Sequence, residues 1–593
     1  DAFHVDYGTD TIGDLITGDS FAVFPGATAY AGSITNFVAT NSTANFGTAV
    51  LAAADTGSTI TMTDSHLGAF SLDGGPGVDV LTGGKYADTI NGGLGDDVLV
   101  GGLENDIING GDDNDTIDGG LGNDQLTGGD DNDTFNITFG TDTITDLSTG
   151  DILVVSSGAT ANGTNISNFV ATNSTTNGGV ANLTAGDTGS TIILTNSLSG
   201  FYTITGGSGI DNLTGGSGDD IIDGAGGNDN LIGGNGNDTF NITAGTDIIS
   251  DITTGDILVV SSGATANGTN ISNFVATSST VNGGTANLTA GNSGSTITMT
   301  NSVSGAYTLT GGLGVDILTG DTDADTLVGN GGDDVLDGGG GADIITGGTG
   351  EDVFNVTSGV DIITDLISGD VLRVSSGATA NAIGISNFVA TDSTINNGTT
   401  NLLTGESDST INLTNSISGN YTLTGGAGVD NLTGGSGNDI IDGAGSDDFL
   451  KGGSGNDTFN ITSGTDIIID LSTGDSLVVS SGSKARPTNV SHFVATAGTS
   501  NFGNTKILCS DENSVVDLGL SSFGKYVIFG GAGDDTITAG QFGDILSGGD
   551  GLDIITGGSG SDNISGGGGD DTIEGSDGID TMYGGSGDDL LTG

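Results

Sequence analysis

The apolar residues of this chain fall at fixed intervals. Over residues 74–136 a Leu, Ile or Phe recurs at every ninth position, from Leu81 through Ile90, Leu99, Ile108, Ile117 and Leu126 to Phe135. The same frame returns at 206–241, 311–355, 425–460 and 530–592, giving 27 nonapeptides in all. Position 8 is Leu, Ile, Phe or Met in every copy, position 6 is Asp in every copy, and Gly dominates positions 1, 2 and 4. One inward-facing residue per nonad predicts a strand only about three residues long, since side chains alternate along a strand. The Gly-rich half predicts a tight turn with positive φ, which Gly adopts without a Cβ clash. Two nonads then make one coil of a parallel β-roll, so that loops stack at every second copy.

The blocks are separated by segments of a second period. Residues 5–73, 137–205, 242–310, 356–424 and 461–529 are each 69 residues long, and the second and third are identical at 54 of 69 positions. Ile, Val and Leu alternate there with Thr, Ser and Asp, which is strand-like, and helix-period runs are missing. Gly, Asn and Ser clusters fall about every 8–12 residues, as in an all-β sandwich. Each segment is therefore expected to form a small β-sandwich. Phe169, Phe274, Phe388 and Phe493, with Tyr202, Tyr307, Tyr421 and Tyr526, recur as its core candidates. An aromatic platform for sugars is the alternative role for them.

The expected architecture is all-β, with β-rolls alternating with sandwich modules in a linear array. Residues 1–4 read as the end of a truncated nonad. Modules at 5–73, 137–205, 242–310, 356–424 and 461–529 alternate with rolls at 74–136, 206–241, 311–355, 425–460 and 530–593, the last of which reads as continuing. Phe at position 8 marks the final nonad of each internal block (Phe135, Phe240, Phe354, Phe459). The chain thus reads as a piece cut on both sides from a longer one.

Charge sharpens this picture. There are 76 Asp and Glu against 7 Lys and Arg, for a formal net charge of -69. Such a charge on a bare chain usually means disorder, but the apolar residues are too evenly placed for that. Nucleic acid is excluded as a partner because no basic patch could neutralise phosphates. No run of about 20 apolar residues offers a membrane-spanning helix. The single Cys509 has no partner for a disulfide and reads as a small buried residue rather than a reactive thiol. Divalent cations are the candidates to offset the charge.

The position-6 aspartates are the candidate ligands, because a carboxylate beside turn carbonyls is the hard-oxygen donor set that Ca²⁺ prefers. They are Asp79, Asp88, Asp97, Asp106, Asp115, Asp124 and Asp133 in the first block, then Asp211, Asp220, Asp229 and Asp238 in the second. Asp316, Asp325, Asp334, Asp343 and Asp352 follow in the third, and Asp430, Asp439, Asp448 and Asp457 in the fourth. The fifth holds Asp535, Asp544, Asp553, Asp562, Asp571, Asp580 and Asp589. Asp142, Asp146 and Asp151, recurring as Asp247, Asp251 and Asp256 and at the same offsets elsewhere, either bind further calcium near a roll end or are solvated carboxylates that discourage edge pairing.

The pattern GGxGxD followed by an apolar residue two places on resembles the RTX (repeats-in-toxin) family of haemolysin-type calcium-binding repeats. The resemblance covers the five blocks. It implies a calcium-bound β-roll with many structural Ca²⁺, export by type I secretion and folding after the chain meets extracellular calcium. The opening GTDTITDLSTGDIL of a 69-residue segment is similar to the segment that closes β-rolls in RTX metalloproteases, which implies a cap strand ahead of each sandwich. No HExxH or GxSxG motif occurs, so neither the protease nor the lipase branch of the family is represented, and His4, His66 and His492 lie in different modules. No enzyme is expected.

The expected function is a calcium-dependent extracellular structural protein at the bacterial cell surface. It would be a subunit of a surface layer, sheath or filament that associates with itself, with cell-surface polysaccharide a further candidate partner. The alternatives are a repeat adhesin or stalk, or the calcium-binding region of an RTX toxin or exoenzyme.

Overall fold

A computed structural model describes residues 1–593 and contains strands, turns and bends but no helix. It divides into two compact units, one of Asp1–Thr289 with Asn301–Gly305, the other of Ala290–Thr300 with Ala306–Gly593.

Each unit is a parallel β-solenoid. In the first block Val80–Thr82 pairs with Val98–Leu103 while Thr89–Leu94 pairs with Ile107–Asp112, so alternate nonads feed opposite sheets. The step between paired residues is two nonads: Leu81 lies beside Leu99, Ile90 beside Ile108, and Ile117 beside Phe135. The position-8 side chains meet between the two sheets and are almost fully buried from Leu81 to Ile573. This is the expected coil, and it follows from placing one apolar residue on the inner face of each short strand.

The 69-residue segments are not β-sandwiches. A sandwich needs antiparallel neighbours, and every pairing within either unit is parallel. In the first unit a 15-stranded sheet runs from Thr9–Ile12 to Val281–Asn282, through blocks and segments alike, without a break. In the second unit an 11-stranded sheet does the same from Asn387–Val389 to Thr581–Ser586. What changes is coil length. Paired residues stand 18 apart at Ile137 and Val155, 20 apart at Ala161 and Ala181, and 23 apart at Phe169 and Ile192. The extra residues form a third short side. The 8-stranded sheet ends at Thr176–Asn177, and a new sheet starts at Asn168–Val170.

The recurrent aromatics belong to the core of these wider coils. Phe169, Phe274, Phe388 and Phe493 are fully buried, as are Tyr202, Tyr307, Tyr421 and Tyr526. The hydroxyl of Tyr202 meets Ser197 Oγ at 2.6 Å, and Tyr421 meets Ser416 in the same way at 2.6 Å, so the ring is buried with its polar tip satisfied. A sugar platform would require exposed rings.

Phe240 is stacked between Ile222 and Leu258 on neighbouring coils. Replacing it with Ala should cost about 3–5 kcal/mol, because the flanking coils cannot close the cavity. Calorimetric unfolding of the calcium-loaded protein measures this, and a stability unchanged from wild type would contradict the packing described.

Candidate metal centre

The position-6 aspartate is charged, yet 25 of the 27 are buried, with Asp580 and Asp589 at the end of the last block half-buried. Their two oxygens have different fates. Oδ1 accepts a hydrogen bond from the main-chain N–H of the aspartate one coil earlier: Asp79 to Asp97 at 2.7 Å, Asp88 to Asp106 at 2.6 Å, Asp97 to Asp115 at 2.8 Å and Asp106 to Asp124 at 2.7 Å. The same ladder runs through the other four blocks, for example Asp220 to Asp238, Asp316 to Asp334, Asp439 to Asp457 and Asp535 to Asp553, all at 2.8 Å except the 2.7 Å of Asp316. Each carboxylate in the ladder thus fixes the register of two coils, while Oδ1 of Asp79, Asp316 and Asp430, in the first nonads of their blocks, has no partner.

Oδ2 depends on position within the block. In several opening nonads it accepts the N–H of the nearby Gly turn, as Asp88 does from Gly84 at 2.5 Å, Asp211 from Gly207 at 2.7 Å and Asp439 from Gly435 at 2.8 Å, whereas at Asp79 and Asp535 it has no partner. Further in, at Asp97, Asp106, Asp115 and Asp124, it is buried with no partner, and so it is at Asp334, Asp343, Asp553 and Asp562. An unpaired buried carboxylate oxygen is costly.

The glycine at position 1 shows what surrounds that oxygen. A Cβ built on Gly110 would overlap both Asp115 Oδ2 and the carbonyl oxygen of Gly128, one coil on. Gly92 stands in the same relation to Asp97 and Gly110. A carboxylate oxygen and a main-chain carbonyl therefore converge on a space that only glycine leaves open. Both are hard oxygen donors, the set that suits Ca²⁺. No three His, Cys, Asp or Glu side chains converge as a metal cluster.

The family comparison agrees with this donor chemistry. The family model described as RTX calcium-binding nonapeptide repeat matches residues 73–144, 205–240, 310–363, 424–459 and 529–593 in overlapping hits. These segments are RTX repeats. No curated protein matches the chain. RTX repeats are calcium-binding, so multiple structural Ca²⁺ are the cofactor here, and the residues that could hold them are the interior position-6 aspartates with the position-1 glycine carbonyls.

The RTX ladder is longer than the 27 nonads. Asp142 and Asp151 are buried, and Asp124 N–H donates to Asp142 Oδ1 at 3.0 Å while Asp133 N–H donates to Asp151 Oδ1 at 2.9 Å. Asp146 accepts the N–H groups of Gly128 at 3.0 Å and Gly129 at 2.8 Å. These are not solvated edge carboxylates. The signal was the 18-residue step, which Asp142 and Asp151 keep from Asp124 and Asp133 after the Gly pairs are lost. Cys509 is half-buried and not fully buried as expected, and burial pushes its thiol up to about 12, so it stays protonated.

Burial raises the carboxylates in the interior of the ladder of the first block. Asp97 is lifted to about 6, Asp115 to about 7 and Asp106 to about 8, in each case by desolvation first and by neighbouring aspartates after it. A folded-state value above the ordinary 3.8 means that the metal-free fold takes up protons that the unfolded chain does not. Without cations, this contribution to stability is fully present below about pH 4 and is lost as pH rises through 6 to 8. The chelated protein should therefore melt at lower temperature at pH 8 than at pH 5, and adding Ca²⁺ near pH 6.5 should release protons. Calorimetric titration in buffers of different ionisation enthalpy reads that release, and a buffer-independent heat would refute it.

Gly110→Ala should abolish the local ion site and loosen two coils, since its methyl group takes the space shared by Asp115 and Gly128. Gly13→Ala, where an added Cβ meets nothing within 4 Å, should leave calcium binding and melting unchanged. Calcium titration of the two variants side by side makes the comparison. Equal affinity in both would show that the cradle is not the site.

Proposed function

We propose that this protein is a non-enzymatic, calcium-dependent structural repeat protein, exported and assembled outside the cell as a subunit of a surface layer, sheath or filament. The observation that carries the reading is that blocks and 69-residue segments alike are solenoid coils, with no separate effector fold among the 593 residues. Near-identical segments suit a scaffold in which each repeat does the same mechanical job. RTX repeats are typical of secreted proteins, which supports an extracellular place. No helix is long and apolar enough to cross a membrane.

In this reading the 27 position-6 aspartates are the calcium ligands, and the roll blocks and 69-residue segments divide the chain functionally. A block of n nonads gives n − 2 loop pairs, or about 17 ions over the five blocks on oxygen-ligand logic. Their charge would neutralise around half of the -69. Binding energy would then be folding energy, and the blocks would reach full stability only on meeting extracellular calcium.

Self-association is supported by one cationic face. Lys484 and Arg486 lie on Lys484–Pro487, Lys506 on the neighbouring Asn504–Leu508, and Lys525 just before Tyr526–Ala532, the next strand over. Lys484, Arg486 and Lys525 are exposed, and none of the four makes a salt bridge within the chain, where the only ion pair joins the N-terminus to Asp19. In so acidic a protein, such a face attracts the carboxylates of a second copy and sets one register. The variant K484T/R486N/K506N/K525N installs the residues found at the same places in the fourth segment. It should fold with calcium but assemble more slowly, most clearly at low salt. Electron microscopy with calcium and with chelator reads the outcome. Ordered sheets or fibres that need calcium and are weakened in the variant support the reading, whereas calcium-loaded protein that stays monomeric favours a stalk or toxin region.

A further inference from the structure

The coil on which a 69-residue segment rejoins its block leaves a notch in the solenoid surface. After the fourth segment the notch has about 300 Å³ and is lined by Gly398, Asn420, Tyr421 and Asn438 among others. After the fifth it has about 450 Å³, and the same places hold Gly503, Lys525, Tyr526 and Gly543. Phe502 and Phe542 precede two of these lining glycines, and Phe523 stands between their rings. Phe502 and Phe523 stack with centroids 4.5 Å apart and 20° between planes, and Phe523 meets Phe542 at 4.8 Å. Phe502 is 55% exposed and Phe523 42%, so the row faces solvent. The second, third and fourth segments carry Gly178, Ser199 and Gly218, then Gly283, Ser304 and Asp323, then Asn397, Ser418 and Gly437 at these three places. The first carries Phe46, Leu67 and Tyr86 but has Ala69 where Lys525 stands, and its nearby cation, Lys85, reaches the carbonyl of Ser65 at 3.4 Å.

A row of half-exposed aromatic rings beside a notch is the kind of apolar patch that marks a contact surface, and aromatic side chains anchor protein interfaces. Lys525 makes no ion pair within the chain, so the partner it suits is acidic. A second copy, with its net charge of -69, meets that demand. The matching feature is an apolar side chain next to a carboxylate, and position 5 of the opening nonads presents it. Val78, Ile210 and Val429 are exposed there. Asp55 lies two residues before Gly57, where an added Cβ would touch the carbonyl oxygen of Val78 at 2.6 Å. Asp187 lies two residues before Gly189, which stands in the same relation to Ile210 at 2.8 Å. Asp408 Oδ1 accepts the N–H of Val429 at 2.9 Å. All three aspartates are exposed. Val315 of the third block has Asn292 where Asp187 stands beside Ile210, and the fifth block has Asp534 in place of the apolar residue. The module with the aromatic notch therefore lacks the knob.

We infer that the notch flanked by Phe502, Phe523 and Phe542 receives an opening-nonad loop of a second copy, with Val78, Ile210 or Val429 against the rings and the neighbouring carboxylate on Lys525. The two surfaces are different, so the contact is heterologous and does not close as a two-fold dimer. A copy whose notch is filled still has knobs to offer, and growth continues. This rests on the self-association proposed above and deepens it by naming both halves of the contact.

The test separates the two halves on the full chain. F502N/F523S/F542G installs the residues of the fourth segment and block and keeps every lysine. V78S/I210S/V429S removes the knobs. Analytical ultracentrifugation in calcium should show each variant alone as a monomer under conditions where the wild type forms large assemblies. An equal mixture of the two should give small complexes that do not grow, since one variant supplies knobs and the other notches. Val315→Ser should assemble like the wild type. Circular dichroism in calcium checks that each variant folds. Should the aromatic variant not fold, the knob variant, altered only at exposed side chains, carries the test, and added to the wild type it should shorten the assemblies. Wild-type assembly by either variant, or an equal loss in Val315→Ser, would overturn the inference while leaving self-association standing. A wild-type chain that stays monomeric in calcium would overturn both readings.

Discussion

Every coil of the RTX blocks depends on a carboxylate that is buried because the backbone needs it there. Between consecutive coils the loop N–H of each position-6 aspartate points along the stack, where no carbonyl faces it. The Oδ1 of the next aspartate fills that place, at 2.6 to 2.8 Å in the first block's interior. The side chain cannot do this without carrying its second oxygen and its charge inside as well. The register of the solenoid and its surplus of buried carboxylate oxygen therefore come from the same residue. Glycine completes the device by leaving room beside Oδ2, as at Gly92 and Gly110. The net charge of -69 follows from repeating this device.

Much of this was legible in the sequence because each place in the nonad answers one physical demand. Period nine with a single apolar place gives the short strand, and doubling it gives the coil, so Leu81 beside Leu99 could be anticipated. The 69-residue segments were only half legible. Alternation around Phe169 or Ile192 states which side of a strand faces inward, and it is silent on which strand lies beside it. Turn clusters about every 8–12 residues fit a sandwich, but they fit half a solenoid coil equally well. Coil steps of 18, 20 and 23 residues within one segment leave no constant period to find. The burial of Asp142 and Asp151 escaped notice for a related reason: the glycines that advertise a nonad had gone, while the 18-residue step remained.

Coils of unequal length can share a sheet because a parallel ladder constrains only the residues within it. The excess goes into loops and into a local irregularity between Gly163 and Ile166 where the register shifts. Such coils still have to be tied to one another, and past their first turn they have no aspartate ladder. Asn177 takes over, donating from Nδ2 to the carbonyl of Phe201 and accepting the N–H of Gly179 at Oδ1. Asn45, Asn396 and Asn501 donate in the same way to Ala69, Asn420 and Lys525. Asn162 with Asn182 and Asn381 with Asn401 add side-chain rungs at 2.9 and 2.8 Å.

The chain thus holds successive coils together by two chemistries. An amide hook is neutral: its donor and acceptor are both satisfied by main chain, and it asks nothing of the solvent. A carboxylate rung is anionic, and its surplus oxygen must meet a proton or a metal. Alternating the two along one kind of solenoid places cation-dependent lengths between cation-independent ones without any change of fold. In such a nearest-neighbour stack, stability is set locally, coil by coil. Removing calcium therefore acts on the rungs and spares the hooks, and the boundary between the two responses falls at the coil that carries Asp142, where the last unsatisfied carboxylate gives way to the first asparagine.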